Sequence, residues 1–400
     1  MTTTSILMGG MLFLLAFGVE HLAKRTALPP VVALILMGVI GKPLLQAASM
    51  DLGDLSGLMP LLGTVGLVLI VLEGAFDLQL CKDRIRSVGQ SLFSALLGLI
   101  MSCTALALMA LLWGQFSVFD AILLSIPFAV ISSAVAIPSS AFLPLAQREF
   151  VVYESTLSDI FGILLFFALL DSNRSVSGAM TSLVGNGLVS LLLGIVCAVS
   201  LLHMMLKLQG HIRFIPLLAA LFVLYALGKQ MHLSPLIMVL VFGLVLNNPA
   251  IFARVRWLKT VYADVDFRST VNEFKSLTSE LTFAVRGLFF MLLGYWTDLN
   301  HFAHWMAWGV ALVVLLVLYG LRRVLMSVLR IEHPHVLAWL APRGLITVLL
   351  YMSAKDVVLM PAYMDGAVML IVMGTALGTG MARLKWQKNQ TLDVRNGLIT

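Results

Sequence analysis

Stretches of mostly apolar residues, each near the 20 or so needed to cross a bilayer as a helix, recur from one end of this 400-residue chain to the other. Thirteen candidates lie near 4–21, 28–48, 57–80, 88–113, 118–144, 150–171, 179–206, 213–230, 233–252, 278–297, 302–326, 336–354 and 358–381. Hydrocarbon offers no partner to backbone N–H and C=O groups, so each run must satisfy its own backbone as a helix. The expected fold is an all-α polytopic membrane protein with about 13 transmembrane helices. Composition agrees: 60% of residues are hydrophobic and only 12% are charged, against about 25% charged in a soluble domain. Cytosolic enzymes, nucleic-acid binders and disulfide scaffolds are excluded. Cys81, Cys103 and Cys197 form no paired motif for a metal. The opening residues MTTTSILMGGMLFLLAFG lack a basic n-region and a cleavage signature, so the first span is expected to be retained.

The basic residues set the orientation. Loops after odd-numbered spans, together with the C-terminal tail, hold 20 of the 26 Lys and Arg, including Arg322 and Lys275. The opposite side holds Lys42, Arg174, Lys229 and Lys355, and the remaining two, Arg286 and Arg343, fall within spans. Cytoplasmic loops carry the excess of Lys and Arg, so the N-terminus is expected outside and the C-terminus in the cytoplasm, in a bacterial inner membrane. The net charge of +6 is thus an orientation signal, with no nucleic-acid partner implied.

An internal repeat is visible. Span 2, LPPVVALILMG, and span 9, LSPLIMVLVFG, both place Pro and Gly eight residues apart, at Pro30 and Gly38 and at Pro235 and Gly243. Span 3, GLVLIVLEGAFDL, and span 10, GLFFMLLGYWTDL, both place Gly and Asp eleven apart, at Gly66 and Asp77 and at Gly287 and Asp298. Spans 1 to 6 therefore repeat as spans 8 to 13. The offset is odd, so the second copy is inserted upside down, an arrangement that puts a transporter's binding site near the midplane. The expected organisation is a first six-span repeat over 1–171, a linking span within 172–212, and an inverted second repeat over 213–400. That second repeat includes a cytoplasmic linker at 253–276 and a short C-terminal tail.

Ionisable residues deep in a span are costly and mark functional sites. Glu73, Glu154, Asp159, Arg286 and Arg343 are such residues. Three acids against two guanidinium groups leave one carboxylate to titrate or to bind a cation. At 100° per residue Ser155 and Asp159 share a helix face, whereas Glu154 lies about 140° around. Asp159 beside a hydroxyl forms an oxygen-rich corner for a small hard cation. Glu154 faces elsewhere and is free to pair with an arginine, and its pairing with Arg343 is read as structural. Glu73, next to Gly74, either joins the site or bonds to a neighbouring helix. Arg286 either compensates Asp159 or anchors a helix end. Span 5, with FAVISSAVAIPSS, carries Ser132, Ser133 and Pro138, and its repeat mate, span 12, carries Pro342 and Gly344 in LAPRGLITV. Both are expected to unwind locally, turning freed backbone groups towards the ion.

Five motifs, TALPPVVALILMGVIGKP, ISSAVAIPSS, YESTLSDIFGILLF, AVRGLFFMLLG and APRGLITVLL, resemble spans 2, 5, 6, 10 and 12 of the monovalent cation/proton antiporter superfamily. They occur in order over most of the chain. The resemblance implies a sodium/proton antiporter-like fold: two inverted six-helix repeats with crossing unwound helices, assembled as a homodimer in membrane lipid. It implies alternating-access exchange of a monovalent cation for protons, with no cofactor. Matched by motif, Asp159 falls on the ion- and proton-binding aspartate and Ser158 on the position before it. Ser155 and Glu73 match auxiliary positions, and Glu154 and Arg343 match a buried ion pair. A serine at 158 leaves one acid in the site, which favours electroneutral exchange of one cation per proton. ISSAVAI replaces the usual Thr-Asp-Pro and resembles the Ser-Ser form of the potassium-efflux branch, adding Ser132 and Ser133 to the candidate ion-binding set. Na⁺, K⁺ and Li⁺ all stay open as substrates. The alternative is a sodium-coupled organic-anion symporter of related fold. An intramembrane enzyme lacks the His at depth or clustered metal ligands that it would need.

Overall fold

The structure, a computed structural model, describes residues 10–19, 22, 29–47, 58–78, 85–113, 116–172, 176–207, 214–231, 233–248 and 265–395. Each of the thirteen expected spans has its helix, and no strand occurs among the described residues. In chain order the helices are α1 (Gly10–Val19), α2 (Pro30–Ala47), α3 (Leu58–Asp77), α4 (Ile85–Trp113), α5 (Val118–Ala129), α6 (Ser133–Ser139), α7 (Leu145–Leu170) and α8 (Val176–Lys207). They continue as α9 (Phe214–Gln230), α10 (Pro235–Asn247), α11 (Val265–Trp296), α12 (Asn300–Ala303), α13 (Trp305–Val328), α14 (Pro334–Leu337), α15 (Leu345–Lys355) and α16 (Tyr363–Arg395). Leu192 and Leu316, at 64% and 65% exposure, stand on outward faces where lipid is their solvent.

Two segments differ from expectation. The stretch 265–276, read as a surface linker, is the first part of α11 and continuous with span 10; 253–264 lies outside the described residues. Its polar sequence hides a stripe at helical spacing, Val271, Phe274, Thr278 and Thr282, all buried. Phe274 sits at the centre of an aromatic cluster with Phe76, Phe214 and Phe242. Lys275, one residue on, reaches back to the Asn247 side-chain oxygen. Likewise α16 runs on to Arg395, where a short tail was expected after residue 381.

The helices sort into two packed groups. In one, α2, α3, α10 and α11 pack on one another; in the other, α4, α5, α7, α13 and α16 do so. The α2 and α11 backbones nearly touch: a Cβ on Gly38 would run into the Met291 carbonyl, and one on Gly294 into that of Ile35. Only glycine permits that approach.

Both expected interruptions are present. α5 ends at Ala129, the chain runs extended through Val130 and Ser132, and α6 starts at Ser133. In the second half the short α14 is followed by non-helical residues 338–344 before α15. The two breaks meet where the Ser132 N–H donates to the Pro342 carbonyl at 2.9 Å. Pro138, inside α6, is not the point of rupture.

Candidate functional site

Interrupting a helix strands backbone groups that its own ladder would have satisfied. The unbroken α7 supplies partners to one side of the α5–α6 break. Ser158 Oγ accepts the Ile131 N–H at 3.0 Å, and Asp159 Oδ2 accepts the Ser133 N–H at 2.8 Å. Asp159 is 3% exposed and faces the first turn of α6, where the free N–H groups favour negative charge. Its other oxygen, Oδ1, is buried with no hydrogen-bond partner among the described residues, as are Ser132 Oγ, Thr156 Oγ1 and Thr347 Oγ1. Buried polar atoms without partners cost about 1–3 kcal/mol each; these are oxygens that can coordinate a cation. Ser132 Oγ lies against Gly344, 2.5 Å from where a Cβ would stand, so the hydroxyl sits in the crossing itself.

Ser155 donates its hydroxyl to the Val151 carbonyl at 2.7 Å; its proton is committed to its own helix and its lone pairs remain. Ser133 contributes its backbone N–H to Asp159. Glu73 is partly buried on α3, next to Gly74, where a Cβ would stand 3.0 Å from the Thr156 methyl of α7. The two helix groups touch there. Arg286, also partly buried, donates Nη1 to the Ala134 carbonyl of α6 at 3.1 Å.

The expected Glu154–Arg343 pair is not formed. Glu154 instead receives both terminal nitrogens of Arg322, at 2.6 Å each, and the Ser94 hydroxyl at 2.5 Å. In the sequence Arg322 ends an apolar run beside Arg323 and reads as a cytoplasmic loop residue. In fact α13 continues to Val328 and buries Arg322 to 5% exposure. Arg343 has another task. Its guanidinium donates to the carbonyls of Phe128 at 2.7 Å, Ala129 at 3.3 Å and Ala341. Phe128 and Ala129 are the last residues of α5, so Arg343 caps the negative end of a half-helix with a planar set of donors. Beyond Arg322, sequence reasoning missed Ser94, Thr156 and Thr347, which carry no charge to mark them.

A cavity of about 610 Å³ opens between the two helix groups, on the face carrying the even-numbered loops. Its walls include Thr64 and Leu67 of α3, Phe167 of α7 and Trp296 of α11. At its mouth Lys355 and Tyr351 both bond to Asp365, at 2.6 and 2.7 Å. Phe167 lies eight residues beyond Asp159 on α7, about 12 Å along the axis.

The sodium/hydrogen exchanger family, in its transmembrane region, matches residues 10–385. The chain belongs to that family. As a sodium/hydrogen exchanger it is an integral membrane protein that exchanges monovalent cations for protons, and the symporter alternative is not favoured. Two structures of the sodium proton antiporter MjNhaP1 from Methanocaldococcus jannaschii share the fold. One, determined at pH 8, has a TM-score of 0.73 and 19% identity, covering 96% of this chain and all of that one. The other, an electron-microscopy map, has a TM-score of 0.67 and 20% identity, covering 98% of each chain. No curated protein matches the sequence.

Proposed function

We propose that Asp159 is the one carboxylate at which proton and cation exclude one another, which makes the exchange electroneutral. The observation that carries this is the buried, unpartnered Asp159 Oδ1 of a carboxylate whose Oδ2 takes the Ser133 N–H, next in the chain to Ser132, whose buried Oγ is also unpartnered, where the broken helices cross. A cation there takes the carboxylate oxygen, the Ser132 hydroxyl oxygen and lone pairs of Ser155 and Ser158, with Glu73 at the edge of the site. Ser133 acts through its backbone N–H, Arg343 holds the end of α5, and Arg286 offsets the negative charge of the empty site.

The coupling follows from charge. With a proton or one monovalent cation bound, Asp159 is neutralised; with neither, it is a bare carboxylate in a dry interior, and moving a buried unpaired charge costs several kcal/mol. The loaded forms cross and the empty form does not. One acid means one charge, so the gradient of each pH unit supplies about 1.4 kcal/mol and the membrane potential supplies nothing. A second acid in the site would have added about 2.3 kcal/mol per 100 mV.

The protein works by alternating access in a bacterial inner membrane, N-terminus outside and C-terminus inside, as a homodimer. The first repeat covers 1–171, the linking span falls within 172–212, and the inverted repeat covers 213–400. With that orientation the 610 Å³ cavity faces outwards. Its substrate is Na⁺, K⁺ or Li⁺. The test is reconstitution in liposomes with an acidic interior, adding each cation outside in turn while internal pH is followed and the membrane potential is clamped at different values. Alkalinisation at a rate independent of potential is expected. No response to any cation, or a rate that rises steeply with potential, would refute the proposal.

A further inference from the structure

α6 has seven residues, and Pro138 is the sixth. A proline has no N–H, so the carbonyl four residues before it has no partner within the helix. That carbonyl belongs to Ala134, and it is the one that accepts Nη1 of Arg286 from α11. The residue before it, Ser133, gives its N–H to Asp159. One short helix is therefore held at two adjacent residues: by the carboxylate of the site, and by an arginine from the other helix group. The surroundings of the second hold are tight. Pro30, Val31 and Leu34 of α2, with Val135 and Gly287, leave a crevice of only about 10 Å³, space for one water at most. With little water to compete, the bond is stronger than one at an exposed surface.

We infer that Pro138 and Arg286 act as one device: Pro138 keeps the Ala134 carbonyl open, and Arg286 occupies it to dock α6 on α11 in the conformation whose cavity opens beside Tyr351 and Asp365. Arg286 is thus a positioning residue for the exchange. This inference rests on the reading of Asp159 as the exchange site. When Asp159 turns to a proton or cation its hold on the Ser133 N–H weakens, and the Arg286 bond becomes the contact that must break for α6 to leave α11. Both residues therefore bias one of the two access states. A ligand's apparent affinity scales with the population of the state that binds it, so the consequence is sided.

The test is cation-dependent exchange in right-side-out and everted membrane vesicles, for the wild type, Arg286→Met, Arg286→Lys, Pro138→Ala and the double variant Arg286→Met with Pro138→Ala. Loss of a bond to a charged group worth about 1.5 kcal/mol or more predicts that Arg286→Met raises the KM for cation on the cavity's face about tenfold and leaves the opposite face unchanged or lowered. Pro138→Ala supplies a competing N–H and should shift the same KM in the same direction by less. The double variant should be no worse than Arg286→Met alone, because both act on one carbonyl. Arg286→Lys, which keeps a donor, should restore most of the affinity. Equal KM changes on both faces, multiplying effects in the double variant, or an unchanged Pro138→Ala would overturn the inference. If Arg286→Met does not fold, Pro138→Ala alone decides, since it removes no charged group. Wild-type exchange that is lost in Asp159→Asn upholds the underlying reading whatever these variants do; an inactive wild type refutes both.

Discussion

Arg322→Met removes the partner of a carboxylate that is 1% exposed and leaves it only the Ser94 hydroxyl. The two oxygens of Glu154 each lose an N–H donor at 2.6 Å. Stranding one member of a buried pair costs about 3–5 kcal/mol, whereas an exposed pair is worth about 0–1. Glu154→Gln should cost a similar amount, because it strands the guanidinium, whose Nε already lacks a partner among the described residues. Replacing both at once removes both charges. The double variant should then be about as stable as either single one or better, giving a coupling energy of at least about 2 kcal/mol, above the 0.5–3 range's lower half for residues in one network. The assay is the denaturant midpoint of purified protein for the wild type, both single variants and the double. The same cycle run between Glu154 and Arg343 should show a much smaller coupling, because no hydrogen bond joins them and the Arg343 guanidinium is held by backbone carbonyls. Additive Glu154 and Arg322 effects, or a strong coupling of Glu154 to Arg343, would refute the assignment of the pair.

Further outcomes follow from the same geometry. Gly38→Leu should separate α2 from α11, whose backbones meet at that point, and cost at least the 1–3 kcal/mol or so of an overpacked core, read as a lower denaturant midpoint. Gly344→Ala should collide with the Ser132 hydroxyl, 2.5 Å from the new Cβ, and slow exchange much more than it lowers stability, measured as Vmax in vesicles against the unfolding midpoint. Arg343→Gln should strand the two carbonyls that end α5 and destabilise by about 2–6 kcal/mol at 1–3 per unsatisfied group. The proposed competition of proton and cation for Asp159 predicts that apparent cation KM rises as pH falls, by up to about tenfold per pH unit, with Vmax little changed; a KM independent of pH would argue against competition.

The helical fold was legible because each apolar run must meet its backbone needs alone, and the two breaks were legible because Pro, Gly and Ser interrupt matching spans. That Asp159 and Glu154 meet different neighbours was legible from their spacing on the helix: one faces the Ser133 N–H and the other an arginine. Partner choice was not legible. Nothing local distinguishes Arg322, paired in the core, from Arg323 beside it; the difference arises only when α13 packs against α4 and α16 and turns one arginine inwards to Glu154. Arg343 lies in a break, and backbone carbonyls freed by unwinding, which a sequence does not display, compete for it better than a distant carboxylate does. The beginning of α11 is hidden in the sequence for a related reason. Its polar residues outnumber the apolar ones, while the stripe through Val271 and Phe274 that buries it is narrow. Similarly, Ser155 does share the helix with Asp159, yet its hydroxyl proton goes to Val151, a local option open to any helical serine.

The central claim is that a single carboxylate carries both ligands, and Asp159→Asn tests it most directly. Asparagine keeps an acceptor for the Ser133 N–H while removing the charge and the titratable proton. In liposomes with an acidic interior, the wild type should alkalinise the lumen on addition of its cation, and Asp159→Asn, at equal amount and with its fold intact, should not. Retained exchange in Asp159→Asn would contradict the account and place the coupling elsewhere in the molecule.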